Sequence, residues 1–330
     1  MINRISNYVS GAAAAAVSMV LFAAASLAEA GVGQPAPGQL GLQGAVTPVM
    51  EQIHSFHDKV NYIIIAIAVF VMILLLWVIV RYNAKSNPKP SNFSHNTTIE
   101  VAWTVIPILI LVYIGLYSFR LLFMQYEYPK PDLTIKAVAN AWYWEHQYPD
   151  QKISVSSNMI RDEDVLKKKM GEAAFEAKYG KLEGLARAKA LYADAKGLYA
   201  GMGYVRQLSV DNEIAVPVNK VVHVLVTSND VIHAWTIPSF GSKLDAVPGR
   251  MAATWYKATK TGVYYGQCSV LCGKDHASMP IAIRVVEQAV FDRWIAAAKA
   301  RKWDQARKIL MAATANPKAP RLAQAGTSKR

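Results

Sequence analysis

The chain contains very few cysteines for its length. Only two occur among its 330 residues, Cys268 and Cys272. Two thiols are too few for a framework of several disulfides, so the sequence excludes a small scaffold held together by such bridges. They leave room for one disulfide or for one metal site.

Charged residues are also scarce over most of the chain. They make up 18% of it, and the formal net charge is +13. Residues 291–330 alone hold ten basic and two acidic residues, so the rest of the chain is close to neutral. A near-neutral body lacks the broad basic face that nucleic-acid binding needs, and we expect no nucleic-acid partner.

The first 30 residues have the pattern of a secretory signal peptide. Arg4 gives a positive start, residues 5–28 carry no charge, and Ala28-Glu29-Ala30 matches an A-x-A cleavage site. We predict cleavage after Ala30, with an uncleaved membrane helix as the alternative. Residues 31–59 then form an extracytoplasmic N-terminal segment.

Two further apolar runs are long enough to cross a membrane. Residues 60–80 and 101–119 are uncharged, and a membrane-spanning helix needs about 20 apolar residues. We predict transmembrane helices over residues 60–80 and 101–125. The connecting loop, residues 81–100, is cytoplasmic by the positive-inside rule, because its basic residues Arg81, Lys85 and Lys89 precede its only acid, Glu100.

The sequence after the second apolar run changes to short β-like runs. Examples within residues 131–290 are Val221–Thr227 and Ile281–Val286, which favour a β-sandwich or barrel. Residues 161–205 are rich in Ala, Lys and Glu at helical spacing, and we predict a helical insert there.

The C-terminal residues have a pattern of their own. Residues 291–310 predict one basic amphipathic helix, which a tail follows to residue 330. Its apolar stripe and basic groups suit an anionic membrane surface, and a solvated helix is the alternative.

The strongest chemical signal is a cluster of soft metal ligands. Cys268, Cys272, His276 and Met279 fall within twelve residues, and His233 lies upstream. Thiolate, thioether and imidazole ligands suit copper, and a second thiol allows two sulfurs to bridge two copper ions. A disulfide and a Cys₂His₂ zinc site are the alternatives, and the zinc site leaves Met279 without a role.

Four motifs in this sequence resemble cytochrome c oxidase subunit II. They are Ala141-Trp142-Tyr143-Trp144, Asp230-Val231-Ile232-His233-Ala234-Trp235, Pro248-Gly249-Arg250 and the segment from Gly266 to Pro280. The resemblance implies a two-helix transmembrane hairpin that carries an all-β, cupredoxin-like Greek-key barrel. The helical insert and the basic C-terminal helix and tail are additions to that common core.

The resemblance also implies a binuclear copper centre. Its ligands would be the side chains of His233, Cys268, Cys272, His276 and Met279 and the main-chain carbonyl of Val270. The family normally has a glutamate at that last position, whose carboxylate helps to hold a magnesium ion at the boundary with the catalytic subunit. Valine offers no such ligand, so we expect that magnesium site to be weakened, rebuilt with water or a partner residue, or absent.

Two more residues receive roles from the resemblance. Trp142 matches the aromatic residue through which the family accepts electrons, although a tryptophan in a β domain is also typical of a core. Glu100 matches a carboxylate at the mouth of a proton pathway, although an acid near a helix start is favourable by itself. We expect acids near Trp142, such as Glu145, Asp150 and Asp230, to receive cytochrome c.

The function implied is that of a respiratory oxidase subunit in the bacterial inner membrane, with its copper domain in the periplasm. It would take electrons from cytochrome c and pass them to haem-copper catalytic subunit I, where oxygen reduction is coupled to proton translocation. Other oxidase subunits and membrane lipid are further expected partners. A thioredoxin-like copper chaperone, a copper-free quinol-oxidase relative and an anchor with a disulfide are the competing interpretations.

Overall fold

The computed structural model describes residues 31–89 and 91–314. The predicted signal peptide and most of the predicted tail lie outside these residues. Within the described residues the chain forms two compact units. One is the helical pair from Pro48 to Tyr128, and the other combines the residues before it with those that follow it.

The helical unit contains two long apolar helices. Helix α1 spans Pro48–Arg81 and α2 spans Thr97–Tyr126. At 1.5 Å per residue they are roughly 50 Å and 45 Å long, and both are long and apolar enough to cross a membrane. Each extends beyond the run predicted to span the membrane, and Pro107 lies inside α2 without ending it.

The second unit is built on ten β-strands. They are β1 Leu133–Asn140, β2 Tyr143–Tyr148, β3 Ile153–Ser157, β4 Ile214–Pro217, β5 Val221–Ser228, β6 His233–Ile237, β7 Ser242–Ala246, β8 Ala252–Lys257, β9 Gly262–Gln267 and β10 Pro280–Val286. They form sheets of order β3-β2-β1-β5-β8, β4-β10-β9 and β6-β7. The β1–β5 and β4–β10 pairs are parallel, and the other pairs are antiparallel.

The sheets enclose one aromatic core. Strand β5 alternates between buried and partly exposed positions, as expected for a strand with one face on a core. Trp144, Trp235 and Tyr256 are almost fully buried in this core. Burying one large apolar side chain contributes about 1.5–3 kcal/mol, so these residues fix the strands that carry the site.

The helical insert forms as predicted, with three helices. They are α3 Asp162–Met170, α4 Glu172–Tyr179 and α5 Gly184–Ala195. The acids of the first turn of α3 and the lysines of its last turn match the helix dipole. The insert has its own small core around Phe175 and Tyr179, and Arg161 beside α3 reaches Asp275 at 3.8 Å.

The predicted amphipathic helix over residues 291–310 is in fact two helices. Helix α6 spans Gln288–Lys299 and α7 spans Trp303–Thr314. The chain reverses at Arg301, whose φ of 56° is left-handed although no Gly or Pro marks this turn. The apolar stripe packs on the β core, where Trp294 contacts Tyr148, so it is not free to lie on a membrane.

Residues 31–47 pack along the β domain. The Gly33 carbonyl accepts from the Tyr265 amide at 2.8 Å, and the Val46 carbonyl accepts from the Thr259 amide at 2.9 Å. A Cβ at Gly33 would lie 2.3 Å from the Val263 carbonyl, so this close approach requires glycine. The chain therefore leaves the β domain before α1 and rejoins it after α2, which agrees with two membrane crossings.

Candidate metal centre

His233 is held rigidly at the start of β6. Its side chain is 0% exposed, and its Nε2 atom lies 2.8 Å from Asp230 Oδ1. That contact leaves Nδ1 facing Cys268 Sγ, at 3.8 Å. The other Asp230 oxygen accepts from the Ala141 amide at 2.5 Å, so one carboxylate joins His233 to the turn that carries Trp142.

The protonation of Asp230 follows from these contacts. Partial burial raises the pKa of the carboxyl group, but hydrogen bonds from His233 and from the Val231 and Ala141 amides outweigh it. The pKa of Asp230 is therefore below its ordinary value, and the group is an anion that orients the imidazole.

The other side-chain ligand candidates lie on the loop between β9 and β10. The base of this loop is closed because the Cys268 amide donates to the Met279 carbonyl at 3.0 Å. Cys268 and Cys272 are buried free thiols whose sulfurs are 3.8 Å apart. They are not bonded to each other, so each offers a separate sulfur ligand.

The loop places further ligand candidates beside these thiols. Cys272 Sγ lies 3.5 Å from His276 Nδ1, and Cys268 Sγ lies 3.3 Å from the Val270 carbonyl oxygen. Ligand atoms of His233, Cys268 and Cys272 all lie within 4.8 Å of one another. Met279 is buried at the base of the same loop.

The Cys272 thiol is in an environment that disfavours a free thiolate. Burial, with the neighbouring Cys268, raises the pKa of the Cys272 thiol to about 12. A metal ion must therefore displace the proton to gain this ligand. The donor set of two sulfurs and two imidazoles with a nearby thioether fits copper, and the separated sulfurs argue against a disulfide.

A buried aromatic layer lies behind His233. The ring of Trp144 meets His233 edge-on at 6.3 Å and stacks on His146 at the same centroid distance. His146 accepts a weak hydrogen bond from Trp235 Nε1 at 3.4 Å. Complete burial lowers the pKa of His146 to about 3, so this histidine is neutral at physiological pH.

Trp142 lies at the surface of the site. It is only half-buried, and its indole Nε1 donates to the Cys272 carbonyl at 3.1 Å. Its ring packs so closely on Gly273 that a Cβ there would lie 3.0 Å from Trp142 Cζ2. It packs against the edge of the hydrophobic core and is partly exposed, and a hydrogen bond connects it to the ligand loop.

Sequence reasoning missed one charged neighbour of Trp142. The ammonium of Lys274 lies 5.4 Å from the centroid of the Trp142 ring. Glu145, one of the acids expected to receive a partner, is instead bonded to Ser154 and Gln147. No local sequence pattern signals this contact, because Trp142 and Lys274 are far apart along the chain.

Glu100 lies in the other unit, in the first turn of α2. Its Oε1 accepts from the Asn96 amide at 3.3 Å, while Asn96 Oδ1 accepts from the Ile99 amide at 3.2 Å. These are reciprocal capping contacts, which satisfy amides at the start of the helix. These contacts give Glu100 a structural role at the helix start. Its role in a proton pathway stays a prediction.

This fold and this cluster of thiols and imidazoles define a class of protein, the membrane-anchored, cupredoxin-like metalloproteins. Comparison with known families makes the class specific. Residues 35–121 match the transmembrane domain of cytochrome c oxidase subunit II, and residues 189–286 match its periplasmic domain. The chain belongs to the cytochrome c oxidase subunit II family. It is thus a membrane protein with a periplasmic domain and a subunit of an oxidase complex.

Individual relatives agree with this assignment. Probable cytochrome c oxidase subunit 2 of Rickettsia bellii is 44% identical over 281 residues, covering 85% of this chain and 90% of that protein. Cytochrome c oxidase subunit 2 of Cereibacter sphaeroides is 40% identical over 273 residues, covering 81% and 83%. The crystal structure of the periplasmic domain of subunit II from Bradyrhizobium japonicum is 45% identical, covers 53% of this chain and 98% of that chain, and has a TM-score of 0.39.

Proposed function

We propose that this subunit accepts electrons from cytochrome c at a binuclear copper centre and delivers them to the haem-copper catalytic subunit. One observation carries the proposal: each of the two unbonded thiols has its own imidazole. Cys268 lies beside His233, and Cys272 lies beside His276. Two such Cys-His pairs provide ligands for two ions, whereas a mononuclear blue-copper site needs only one thiol.

The chain's own residues hold and orient the centre. The side chains of His233, Cys268, Cys272, His276 and Met279 and the Val270 carbonyl are the proposed ligands. Bound copper supplies a one-electron redox centre. Asp230 fixes the orientation of His233, and the surrounding apolar core excludes water, which together set the potential.

Trp142 is the proposed point at which electrons arrive. It joins the protein surface to the ligand loop through its hydrogen bond to the Cys272 carbonyl. Oxygen reduction and proton translocation belong to the complete complex in the bacterial inner membrane. In that complex we assign Glu100 to the mouth of a proton pathway.

The test is to load the purified chain with copper and count the metal. We expect two copper ions per chain and a spin spectrum in which one unpaired electron is shared by two copper nuclei. Met279→Leu should change this spectrum, whereas Met251→Leu, at a half-exposed position outside the loop, should not. One tightly held zinc ion, or a Cys268–Cys272 disulfide without copper affinity, would overturn the proposal.

The role of Trp142 needs a separate measurement. Trp142→Phe removes the indole N–H, so the variant should accept electrons from cytochrome c more slowly while its copper spectrum is retained. Trp255→Phe, at another half-buried position, is the matched control. Equal rates in the wild type and in Trp142→Phe would reject Trp142 as the electron acceptor.

We further propose that this chain provides no magnesium ligand at position 270. Magnesium prefers carboxylate and water oxygens in octahedral geometry. The Val270 side chain has no oxygen, and the nearby Asp275 carboxylate faces Arg161 at 3.8 Å. In the oxidase prepared with manganese in place of magnesium, Val270→Glu should strengthen the manganese spin signal at the subunit boundary. A fully occupied manganese site in the wild type, with no gain in Val270→Glu, would contradict this.

A further inference from the structure

The helical insert is a closed lobe whose two ends meet between β3 and β4. The Asp211 amide donates to the Asn158 carbonyl at 2.9 Å, and the Ile160 amide donates to the Ser209 carbonyl at 2.9 Å. The Asn158 amide in turn donates to Asp211 Oδ1 at 2.8 Å. These hydrogen bonds fix the place at which the insert leaves and rejoins the β domain.

The returning end of the insert packs on the two strands that carry the ligand loop. Residues 205–210 share a small apolar cluster with β9 and β10, formed by Val205, Leu208, Val210, Val263, Tyr265 and Ala282. Strand β9 ends immediately before Cys268, and β10 begins immediately after Met279. The insert is therefore anchored near both ends of the loop.

Two residues of the insert also contact the chain next to the proposed ligands. Gln267 Nε2 donates to the Gln207 carbonyl at 3.5 Å, and Arg161 Nη2 lies 3.8 Å from Asp275 Oδ2. Gln207 presents this carbonyl from a left-handed conformation, with a φ of 64°. Gln267 and Asp275 each directly precede a proposed copper ligand, so the insert contacts both sides of the loop.

A bidentate ion pair joins the two contacting residues into one element. Asp162, the neighbour of Arg161, accepts two hydrogen bonds from Arg206, the neighbour of Gln207, at 2.9 and 2.8 Å. Tyr199 donates a third to Asp162 at 2.8 Å. Paired hydrogen bonds between a guanidinium and a carboxylate are strong and fix the relative orientation of the two groups. We call Arg161, Asp162, Arg206 and Gln207 the insert clamp.

We propose that the insert clamp holds the ligand loop closed and thereby limits the rate at which a metal ion enters and leaves the site. The inference rests on the proposed function and assigns Arg161 and Gln207 as positioning residues for the loop. The clamp contacts neighbours of the ligands rather than the ligands, so it stabilises the closed loop equally with and without metal. Its loss should speed metal uptake and metal release together and leave the affinity unchanged.

The size of the effect follows from the exposure of these contacts. The Arg161 and Asp275 side chains are 55% and 33% exposed. An ion pair exposed to this extent changes an equilibrium by up to about fivefold. The long hydrogen bond of Gln267 should contribute a smaller factor, so removing both contacts should have a larger effect than removing either.

The experiment uses the full chain in detergent, without metal, and follows hydrogen exchange of the amides in residues 268–279. These amides exchange when the loop opens, so their rate reports the opening. The variants are Arg161→Gln, Gln267→Ala and the double variant, and Arg161→Lys keeps the charge. Lys178→Gln is the control, because it breaks an equally exposed ion pair of the insert, with Asp194, that does not involve the loop. Copper uptake and copper release to a chelator are then timed for the same proteins.

We expect loop exchange to be about two- to fivefold faster in Arg161→Gln and faster again in the double variant. Arg161→Lys and Lys178→Gln should stay close to the wild type. Copper uptake and release should accelerate by the same factor, so the dissociation constant should not change. Amides of the core strand β5 should exchange as in the wild type, because the domain remains folded.

Loop exchange in the double variant no faster than in the wild type or in Lys178→Gln would overturn the inference and leave the proposed function intact. A changed copper affinity with unchanged loop exchange would also overturn it, because the insert would then orient ligands rather than limit opening. A chain that takes up no copper would overturn the proposed function, whereas the metal-free exchange would still decide whether the insert holds the loop.

Discussion

The two halves of the metal centre are built in different ways. His233 begins a strand that pairs with β7, it is fully buried, and a carboxylate fixes its ring. Cys272 and His276 lie on a loop that contains only one short 3₁₀ turn, His276–Ser278, and exposes Leu271 to solvent. One half is part of the sheet framework, and the other half is attached to it at the Cys268–Met279 hydrogen bond.

This difference indicates how a metal ion reaches a buried site. Exposed loops with few backbone hydrogen bonds open locally at low free-energy cost, whereas core strands open only with the whole domain. The loop half is therefore the part that would open more easily to admit a metal ion, while the imidazole of His233 stays fixed in the sheet. Changes to the two halves should therefore have different consequences for stability and similar consequences for metal content.

The largest expected effect is the loss of one of the two thiols that would hold the copper. Cys268→Ser and Cys272→Ser should each abolish the binuclear copper signal and lower cytochrome c oxidation by more than about 100-fold, the upper range seen for residues that only support ligands. Ser278→Ala, on the same loop, should keep both copper ions. Metal analysis of the purified oxidase measures this, and two retained coppers in either serine variant would contradict the ligand assignment.

The second prediction compares the two histidines in the metal-free protein. His233→Ala leaves a buried cavity and removes the partner of Asp230, so the free energy of unfolding should fall by about 2–4 kcal/mol. His276→Ala removes a half-buried ring and should cost less than about 1 kcal/mol. Urea unfolding in detergent, followed by tryptophan fluorescence, measures both values. Equal losses would show that the two halves are equally rigid.

The third prediction compares two acids. Asp230 contacts His233 in the strand half, and Asp275 lies on the loop half. Asp230→Asn weakens the orientation of His233 and should lower copper affinity about 10–100-fold. Asp275→Asn removes only a partly exposed contact with Arg161, so its effect should be within about threefold. Copper titration against a competing chelator distinguishes them. A larger effect at Asp275 would mean that the loop, rather than the strand, orients the centre.

The smallest expected effect is on the pH dependence of the free energy of unfolding. It comes from His146, in the buried aromatic layer behind His233. Burial lowers the pKa of His146 to about 3, from 6.5 in the unfolded chain. Below pH 6.5 the unfolded state binds a proton that the folded state does not, so the free energy of unfolding falls as pH falls towards 3. At pH 5.5 the expected loss is about 1.3 kcal/mol relative to pH 7.

The measurement is urea unfolding of the metal-free protein between pH 7.5 and 5. His146→Phe lacks this proton and should show a shallower pH dependence than the wild type. His223→Gln controls for the removal of a half-buried histidine from another strand of the same sheet. An unchanged slope in His146→Phe would mean that His146 does not contribute to acid sensitivity.

Local sequence patterns predicted much of this structure. The apolar runs predicted both long helices, and the β-like runs near Val221 and Ile281 correspond to β5 and β10. The Cys and His residues predicted to meet do so. Cys268, Cys272 and His276 share one loop, and His233 begins an adjacent strand. These features depend on periodicity or on short separations along the chain, which a single sequence displays directly.

Other features depend on contacts between distant residues and left no such signal. The turn at Arg301 is left-handed without a glycine, and it lets Trp294 and Trp303 pack against the same core. The contact of Lys274 with Trp142 joins residues on different loops. The packing of residues 31–47 requires hydrogen bonds to partners some 200 positions later, and no local pattern encodes them.

Those N-terminal residues also constrain the order of folding. Gly33 donates to Ser239 Oγ, 206 residues further along the chain, and accepts from Tyr265. A ribosome completes residues 31–47 long before it makes their partners, so this segment has no surface to bind while the helices are being synthesised. Closing so long a loop is slow compared with local structure formation. We therefore expect a segment made early in synthesis to complete the β domain as one of its last folding events.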